Sequence, residues 1–441
     1  MSNSGNKMGV MHLTILTAVN MLGSGIIMLP TKLAEVGTMS ILSWLVTAFG
    51  SLTLAWAFSK CGLFSTKSGG MGGYAEYAFG KSGNFISNYT YAISLLIANI
   101  AIAISAVGYG SVLFGAALSP VEVCVATIAI LWITTACNFG GAKITGQIGS
   151  VTVWGVILPV VGLCVIGWFW FSPARYISSW NPNNMDYLSA ISTSISMTLW
   201  AFLGLESACA NMDAVENPQK NVPIAVFGGT LVCAVIYILS TNVIAGIVPN
   251  ADLLHSTAPF GLAYATMFTP AVGMVVMFLM VLACVGSLLG WQFTVAQVFK
   301  SSADIGYFPK IFSKISKRGA PLAGMIILGV CQTILALMTI SPSLNKQFNS
   351  LVNLAVVTNL VPYVLSMAAL IPMQRLANIT HTQMKTNAVI ALIGSAYSFY
   401  ALYASGEEAM MLGALVTFSG WTFWGMYVQK KESSVTTTCQ E

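Results

Sequence analysis

Apolar stretches long enough to cross a lipid bilayer recur along this chain, at about residues 11–29, 40–60, 84–114, 121–138, 149–171, 189–212, 224–247, 263–297, 323–340, 347–372, 386–404 and 408–428. A hydrocarbon core about 30 Å thick needs roughly 20 helical residues. Inside lipid the backbone has to satisfy its own hydrogen bonds, which makes helices the structure for runs of this length. The runs predict an all-α integral membrane protein of about twelve spans, filling residues 1–441 as a single domain. A water-facing fold fails on charge, since only 7% of the residues are charged and 56% are hydrophobic, whereas soluble chains carry about 25% charged residues.

Orientation follows from the basic residues, which are retained on the cytoplasmic side of span ends. With the N-terminus inside, fifteen of the eighteen lysines and arginines are cytoplasmic and only Lys32, Arg175 and Lys346 are external. An even number of spans then places both termini in the cytoplasm. The formal charge of +5 thus reflects topology, and the basic residues form no aromatic-interleaved patch of the kind that binds nucleic acid. The leader "MSNSGNK" and the run after it lack a cleavage-site pattern, so the first span is expected to be retained. Eight of the nine cysteines fall in or at the edge of spans without CxxC spacing, which reads as packing rather than as a metal site or disulfide framework.

Two spans are interrupted. The first carries "GSG" at residues 23–25, and the sixth carries "LWAFLGLESACANMD" at 199–213, where Gly204 precedes an acid by two residues. Breaks in spans one and six are what two halves of five spans each would show, spans 1–5 over about 11–171 and spans 6–10 over about 189–372, with spans 11–12 following at about 386–428. Broken helices at matching positions in two halves point to a transporter's midplane site. Glycine lets a chain leave helical angles, and a restarted half-helix turns free N–H groups toward the gap, a geometry that suits a carboxylate. A close-packing face for a neighbouring helix is the alternative use of Gly23 and Gly25.

Among thirteen acids, only Glu206 sits in the middle of a span. An intramembrane carboxylate costs about 2.5–3.5 kcal/mol on insertion scales and marks a functional site by default. No lysine or arginine lies at comparable depth, which leaves a protonated acid, a hydrated one, or one that pairs with a cationic substrate. Trp200 lies six residues before Glu206, Trp291 lies deep in span eight and Tyr91 lies in span three. An indole face attracts an ammonium by roughly 0.5–2 kcal/mol. Asn99 in span three is placed either to hydrogen-bond a ligand or to tie helices together. No phosphate loop, HExxH or Cys/His cluster is present, which counts against an enzyme and against a bound metal or cofactor.

At these residues the chain resembles a known group. "GSGIIMLPTKLAEVG", "GGMGGYAEYAFG", "LWAFLGLESACANMDAVENPQKNVP" and "GSLLGWQFTVAQVFK" are similar to segments of the basic amino acid and polyamine antiporters of the amino acid-polyamine-organocation superfamily. The resemblance implies two inverted five-helix repeats plus two C-terminal helices, with helices 1 and 6 broken, in a protein that is often dimeric. It also implies exchange across the inner (cytoplasmic) membrane of a diamine such as putrescine for its precursor ornithine, with proton-coupled uptake beside it. Cadaverine with lysine, or agmatine with arginine, are the alternative pairs. On the family pattern Ser24, Gly25 and Ile26 contact the amino acid end of the substrate, Tyr91, Asn99, Trp200 and Trp291 line the pocket, and Glu206 is the acid of the sixth span. Proton-coupled relatives can carry a lysine in span five, and none lies in 149–171 here.

Overall fold

The computed structural model describes residues 9–23, 25–67, 69–206 and 215–429. Every regular element among them is helical. In chain order the α-helices are α1 (Val10–Met21), α2 (Leu29–Leu33), α3 (Ile41–Phe64), α4 (Met71–Leu113), α5 (Pro120–Asn138), α6 (Ala142–Thr152), α7 (Trp154–Ile166), α8 (Pro173–Ser178) and α9 (Tyr187–Trp200). They continue as α10 (Pro218–Ile247), α11 (Asn250–His255), α12 (Pro259–Met267), α13 (Pro270–Asp304), α14 (Leu322–Met338), α15 (Leu344–Leu376), α16 (His381–Ala404) and α17 (Glu407–Phe423).

Among the described residues eight helices are long and apolar enough to cross a membrane. They account for the predicted spans two to five, seven, eight, ten and eleven. The ninth corresponds to the shorter apolar α14 and the twelfth to α17 with its π-helical continuation to Gln429. The first and sixth are the interrupted ones: α1 stops at Met21 before α2 begins at Leu29, and α9 stops at Trp200.

Three boundaries differ from the sequence reading. The eighth span begins at Pro270, because Phe268 and Thr269 leave helical geometry and the Thr269 side chain caps the new helix, so 263–267 belong to α12. The third helix reaches back to Met71, with Gly80 in a non-helical conformation separating a short leading segment from the span. The fifth begins at Ala142, which puts the exposed Lys143 in its first turn.

Packing between the helices has its own regularity. Span one (α1) packs on span seven (α10), and span six (α9) packs on span two (α3). Span three (α4) packs on span ten (α15), and span eight (α13) packs on span five (α6 and α7). Likewise α5 packs on α13 as α14 packs on α4, and α7 on α10 as α15 on α3. Shifting each helix by five spans carries one member of each pair onto the other. A unit with an odd number of crossings enters the bilayer in opposite senses in its two copies, so this packing is the kind an inverted repeat produces. Small residues make the close contacts. At α1–α10 a side chain at Gly229 would lie 2.9 Å from Thr17 Cβ. At α3–α9 the pairs Ser43–Ser194 and Thr47–Thr198 each meet hydroxyl to hydroxyl at 2.6 Å.

The connections gather at two ends. At one, Thr38 N donates to Ser179 O (2.9 Å), Thr31 Oγ1 to Ser256 O (2.9 Å) and Asn183 Nδ2 to Glu35 O (2.8 Å), and Lys32, Arg175 and Lys346 lie here. At the other, Gly141 abuts the Arg318 carbonyl, Lys143 lies in the first turn of α6, and Lys310, Lys314 and Lys317 lie on the connection between α13 and α14. The charge asymmetry read from the sequence is therefore an asymmetry between the two ends of the bundle. Lys7, Lys430 and Lys431, which entered that reading, lie outside the described residues, as do residues 207–213 of the sixth-span segment with Cys209 and Asp213.

Candidate functional site

Each interruption frees backbone carbonyls inside the bundle, where an unsatisfied group is costly. Tyrosines from neighbouring spans take them up. The Tyr237 hydroxyl on α10 lies 2.7 Å from Met21 O, the last carbonyl of α1, and 2.9 Å from Ala201 O, just past α9. With one proton it donates to one of the two at a time, and it draws both breaks to the same point. On the other side of the first break, Tyr109 donates to Ile27 O (3.0 Å) and accepts from Phe260 N (3.2 Å).

The two breaks also touch directly. A Cβ on Gly25 would lie 3.1 Å from Ala201 Cα, and one on Gly23 would lie 2.8 Å from Ser287 Oγ on α13. Neither glycine has positive φ, in contrast to Gly204, at φ +107°. In the first span, then, glycine serves close approach, the alternative left open by the sequence. In the sixth it supplies a left-handed backbone that other residues rarely adopt.

That left-handed turn aims the backbone at the acid. After α9 the chain continues in i→i+3 bonds, with Phe202 N to Leu199 O at 2.9 Å and Leu203 N to Trp200 O at 3.2 Å. Gly204 N then donates to Glu206 Oε2 at 3.0 Å. The same oxygen accepts from the Tyr363 hydroxyl on α15 at 2.6 Å, and Oε1 accepts from the Tyr91 hydroxyl on α4 at 3.2 Å. Glu206 is 7% exposed, and each of these donors is neutral. The carboxylate is held in place by dipoles, and among the described residues no cation is paired with it.

Beside it lies a cavity of about 40 Å³ between the two breaks, whose wall includes Gly23, Gly25, Tyr91, Trp200, Glu206 and Trp291. The structure thus brings together five of the eight predicted site residues: Gly25, Tyr91, Trp200, Glu206 and Trp291. Ser24 lies outside the described residues. Ile26 is fully buried and stands off the cavity wall, as does Asn99, whose amide makes no hydrogen bond among the described residues. Asn20, Ser94 and Asn359 line the cavity without having been singled out in the sequence.

Tyr363 was also missed, although it makes the shortest hydrogen bond to Glu206 and is pinned by an edge contact with Phe58 at 4.9 Å. A tyrosine following a proline within an apolar span was the only signal available.

Known proteins are similar to this chain over nearly its whole length. The chain is 71% identical over 421 residues to the putrescine transporter PotE of Escherichia coli (strain K12), covering 96% of each protein. It is 66% identical over 430 residues to the putrescine transporter PotE of Haemophilus influenzae, covering 98% of this chain and 99% of the relative. It is also 30% identical over 439 residues to the cadaverine/lysine antiporter of E. coli (strain K12), covering 98% and 97%. These relatives make it a transporter rather than an enzyme. Residues 8–428 match the family model described as amino acid permease, so the two broken helices, the carboxylate between them and the bundle that holds them are those of a member of the amino acid permease family.

Proposed function

We propose that this chain is an antiporter that carries putrescine out of the cell in exchange for ornithine, with proton-linked putrescine uptake as a second mode. The observation that carries the reading is Glu206, a buried carboxylate held by the neutral donors Gly204 N–H, Tyr91 and Tyr363 in a cavity with two indoles. These donors carry no charge, so the carboxylate keeps its own for an ammonium, and low local dielectric strengthens that pair. The rings of Trp200 and Trp291 provide the second cation-attracting surface. Ornithine presents the same ammonium to Glu206 and its α-carboxylate to the unwound backbone near Gly23 and Gly25. A proton is the other cation that the carboxylate accepts, which links uptake to pH. Similarity to two putrescine transporters supports the diamine.

Exchange is tested in proteoliposomes at symmetric pH. Vesicles preloaded with ornithine are expected to take up labelled putrescine faster than empty vesicles, and equal rates reject antiport. Unlabelled cadaverine, lysine, agmatine and arginine, each supplied as competitor, separate the alternative substrate pairs.

The same reading places the protein in the inner membrane with both termini cytoplasmic, and divides the single domain into two five-span repeats followed by two spans. The packing symmetry and the sorting of basic residues support it. A cysteine introduced beside Lys314 is expected to be shielded from an impermeant thiol reagent in intact cells, and one beside Asn345 is expected to label. The reverse pattern inverts the topology.

A further inference from the structure

The eighth span carries a second polar centre directly behind its cavity tryptophan. Gln292 follows Trp291, and successive helical side chains point about 100° apart, so Gln292 faces away from the cavity toward α5 and α14. Its Nε2 lies 3.1 Å from Leu131 O, 3.2 Å from Thr135 Oγ1 and 3.2 Å from Gln332 Oε1. Two protons serve three acceptors, and the Thr135 hydroxyl is free to accept because it donates to Leu131 O at 2.8 Å. One turn earlier the same face is tied again, where Asn138 Nδ2 donates to Leu289 O at 2.9 Å.

Two atoms of this cluster have no partner among the described residues: Gln292 Oε1, an acceptor, and Gln332 Nε2, a donor. Gln292 is 5% exposed and Gln332 is 2% exposed. Together with Thr135 and Asn138 they line a pocket of about 10 Å³, close to the ~10–15 Å³ that one water occupies. A single water accepting from Gln332 Nε2 and donating to Gln292 Oε1 gives each of these two atoms a partner.

We propose that this pocket is a water-binding site, and that Gln292, held by α5, Gln332 and that water, is a positioning residue that fixes the rotation of α13 and so sets Trp291 in the transport cavity. Any roll of the helix that displaces Gln292 displaces Trp291 by the same angle. The proposal rests on the reading of Trp291 as part of the substrate wall.

The test replaces both amides, Gln292→Leu with Gln332→Leu, so that neither is left unpaired; swapping both partners for apolar groups is nearly neutral or stabilising. The apparent KM for putrescine is expected to rise roughly three- to tenfold, short of the ~100-fold that a 1 Å misplacement can cost. Vmax and the thermal midpoint in detergent are expected to hold or rise. In a Trp291→Leu background the same pair of substitutions is expected to add nothing, because it acts through the ring. An unchanged KM, while Trp291→Leu alone raises it, overturns the proposal and leaves the cavity reading standing. An unchanged KM for Trp291→Leu itself removes the reading beneath both. Additive effects, or a KM that worsens together with the thermal midpoint, assign the amides to stability and overturn the proposal. Should the double variant fail to fold, Gln292→Met with Gln332→Met, which keeps the length of both side chains, carries the same comparison. A high-resolution experimental structure is expected to show density bridging Gln292 Oε1 and Gln332 Nε2, and direct contact between those two atoms removes the water.

Discussion

The two interrupted spans meet at one cavity, yet they use glycine for different physical ends. At Gly25 in the first span, the missing side chain lets two backbones approach closely, since a Cβ there would lie 3.1 Å from Ala201 Cα. At Gly204 in the sixth, the missing side chain permits φ +107°, which turns an N–H onto the Glu206 carboxylate. One break provides proximity and the other provides chemistry. The lesson is that matching positions in two halves need not carry matching functions. Both spans are broken, whereas only the sixth places an acid next to its break.

The contrast is broken most directly at the acid. Glu206→Gln keeps shape and hydrogen bonding but removes the charge that an ammonium pairs with. Truncating one partner of a buried charge pair costs about 2–5 kcal/mol, on the order of 30-fold or more in affinity. Putrescine transport is therefore expected to fall at least that far with the protein still in the membrane. Glu407→Gln, at an exposed position in the first turn of α17, is expected to change it by less than about twofold, in line with surface substitutions generally. An unchanged apparent affinity and pH dependence in Glu206→Gln removes the carboxylate from the mechanism.

Next in size is Gly204→Ala. A left-handed backbone costs an L-residue roughly 1–2 kcal/mol, and the new Cβ would also sit 3.3 Å from Asn20 O and 3.3 Å from Trp291 Cζ2. Relaxing that strain swings the Gly204 N–H off the carboxylate. A loss of about tenfold in transport is expected, following that cost, together with a lower thermal midpoint. Gly25→Ala meets ordinary backbone angles and one close backbone neighbour, so it is expected to cost less than Gly204→Ala. If Gly25→Ala proves the more damaging of the two, proximity rather than backbone conformation is the stricter demand, and the contrast reverses.

Much of this arrangement was legible in the sequence because it is written locally. Apolar length fixes a span, glycine beside serine marks the first break, and an acid in an apolar run declares Glu206 before any contact is known. What was not legible depends on which helix faces which. Tyr363 is 157 residues from Glu206 in the chain, and its hydroxyl matters only because α15 packs along α4 and turns that ring inward. Tyr237 is equally silent, since nothing around it in α10 says that two carbonyls from other spans converge on it. Ile26 and Asn99 stand off the cavity wall although each sits beside a residue that lines it: Asn99 follows Ala98 on α4, where the roughly 100° turn per helical residue carries it away, and Ile26 follows Gly25 in the unwound stretch and is buried in the core.

The smallest expected effect is at Gly23, and it tests the contrast at its finest point. The added methyl of Gly23→Ala would approach Ser287 Oγ at 2.8 Å, closer than packing allows. The obstacle is a terminal side-chain atom, unlike the Ala201 backbone that faces Gly25, and a serine hydroxyl moves aside by rotating about χ1 between staggered wells. Transport is therefore expected to drop by no more than about threefold, below the 1–3 kcal/mol typical of overpacking that the neighbours cannot relieve. Adding Ser287→Ala is expected to restore most of the loss by removing the clashing atom. If Gly23→Ala abolishes transport and Ser287→Ala does not rescue it, then Gly23 has to pass through backbone angles closed to alanine during the transport cycle. Both breaks would then rely on glycine's conformational freedom, and the distinction between a break for proximity and a break for chemistry would not hold.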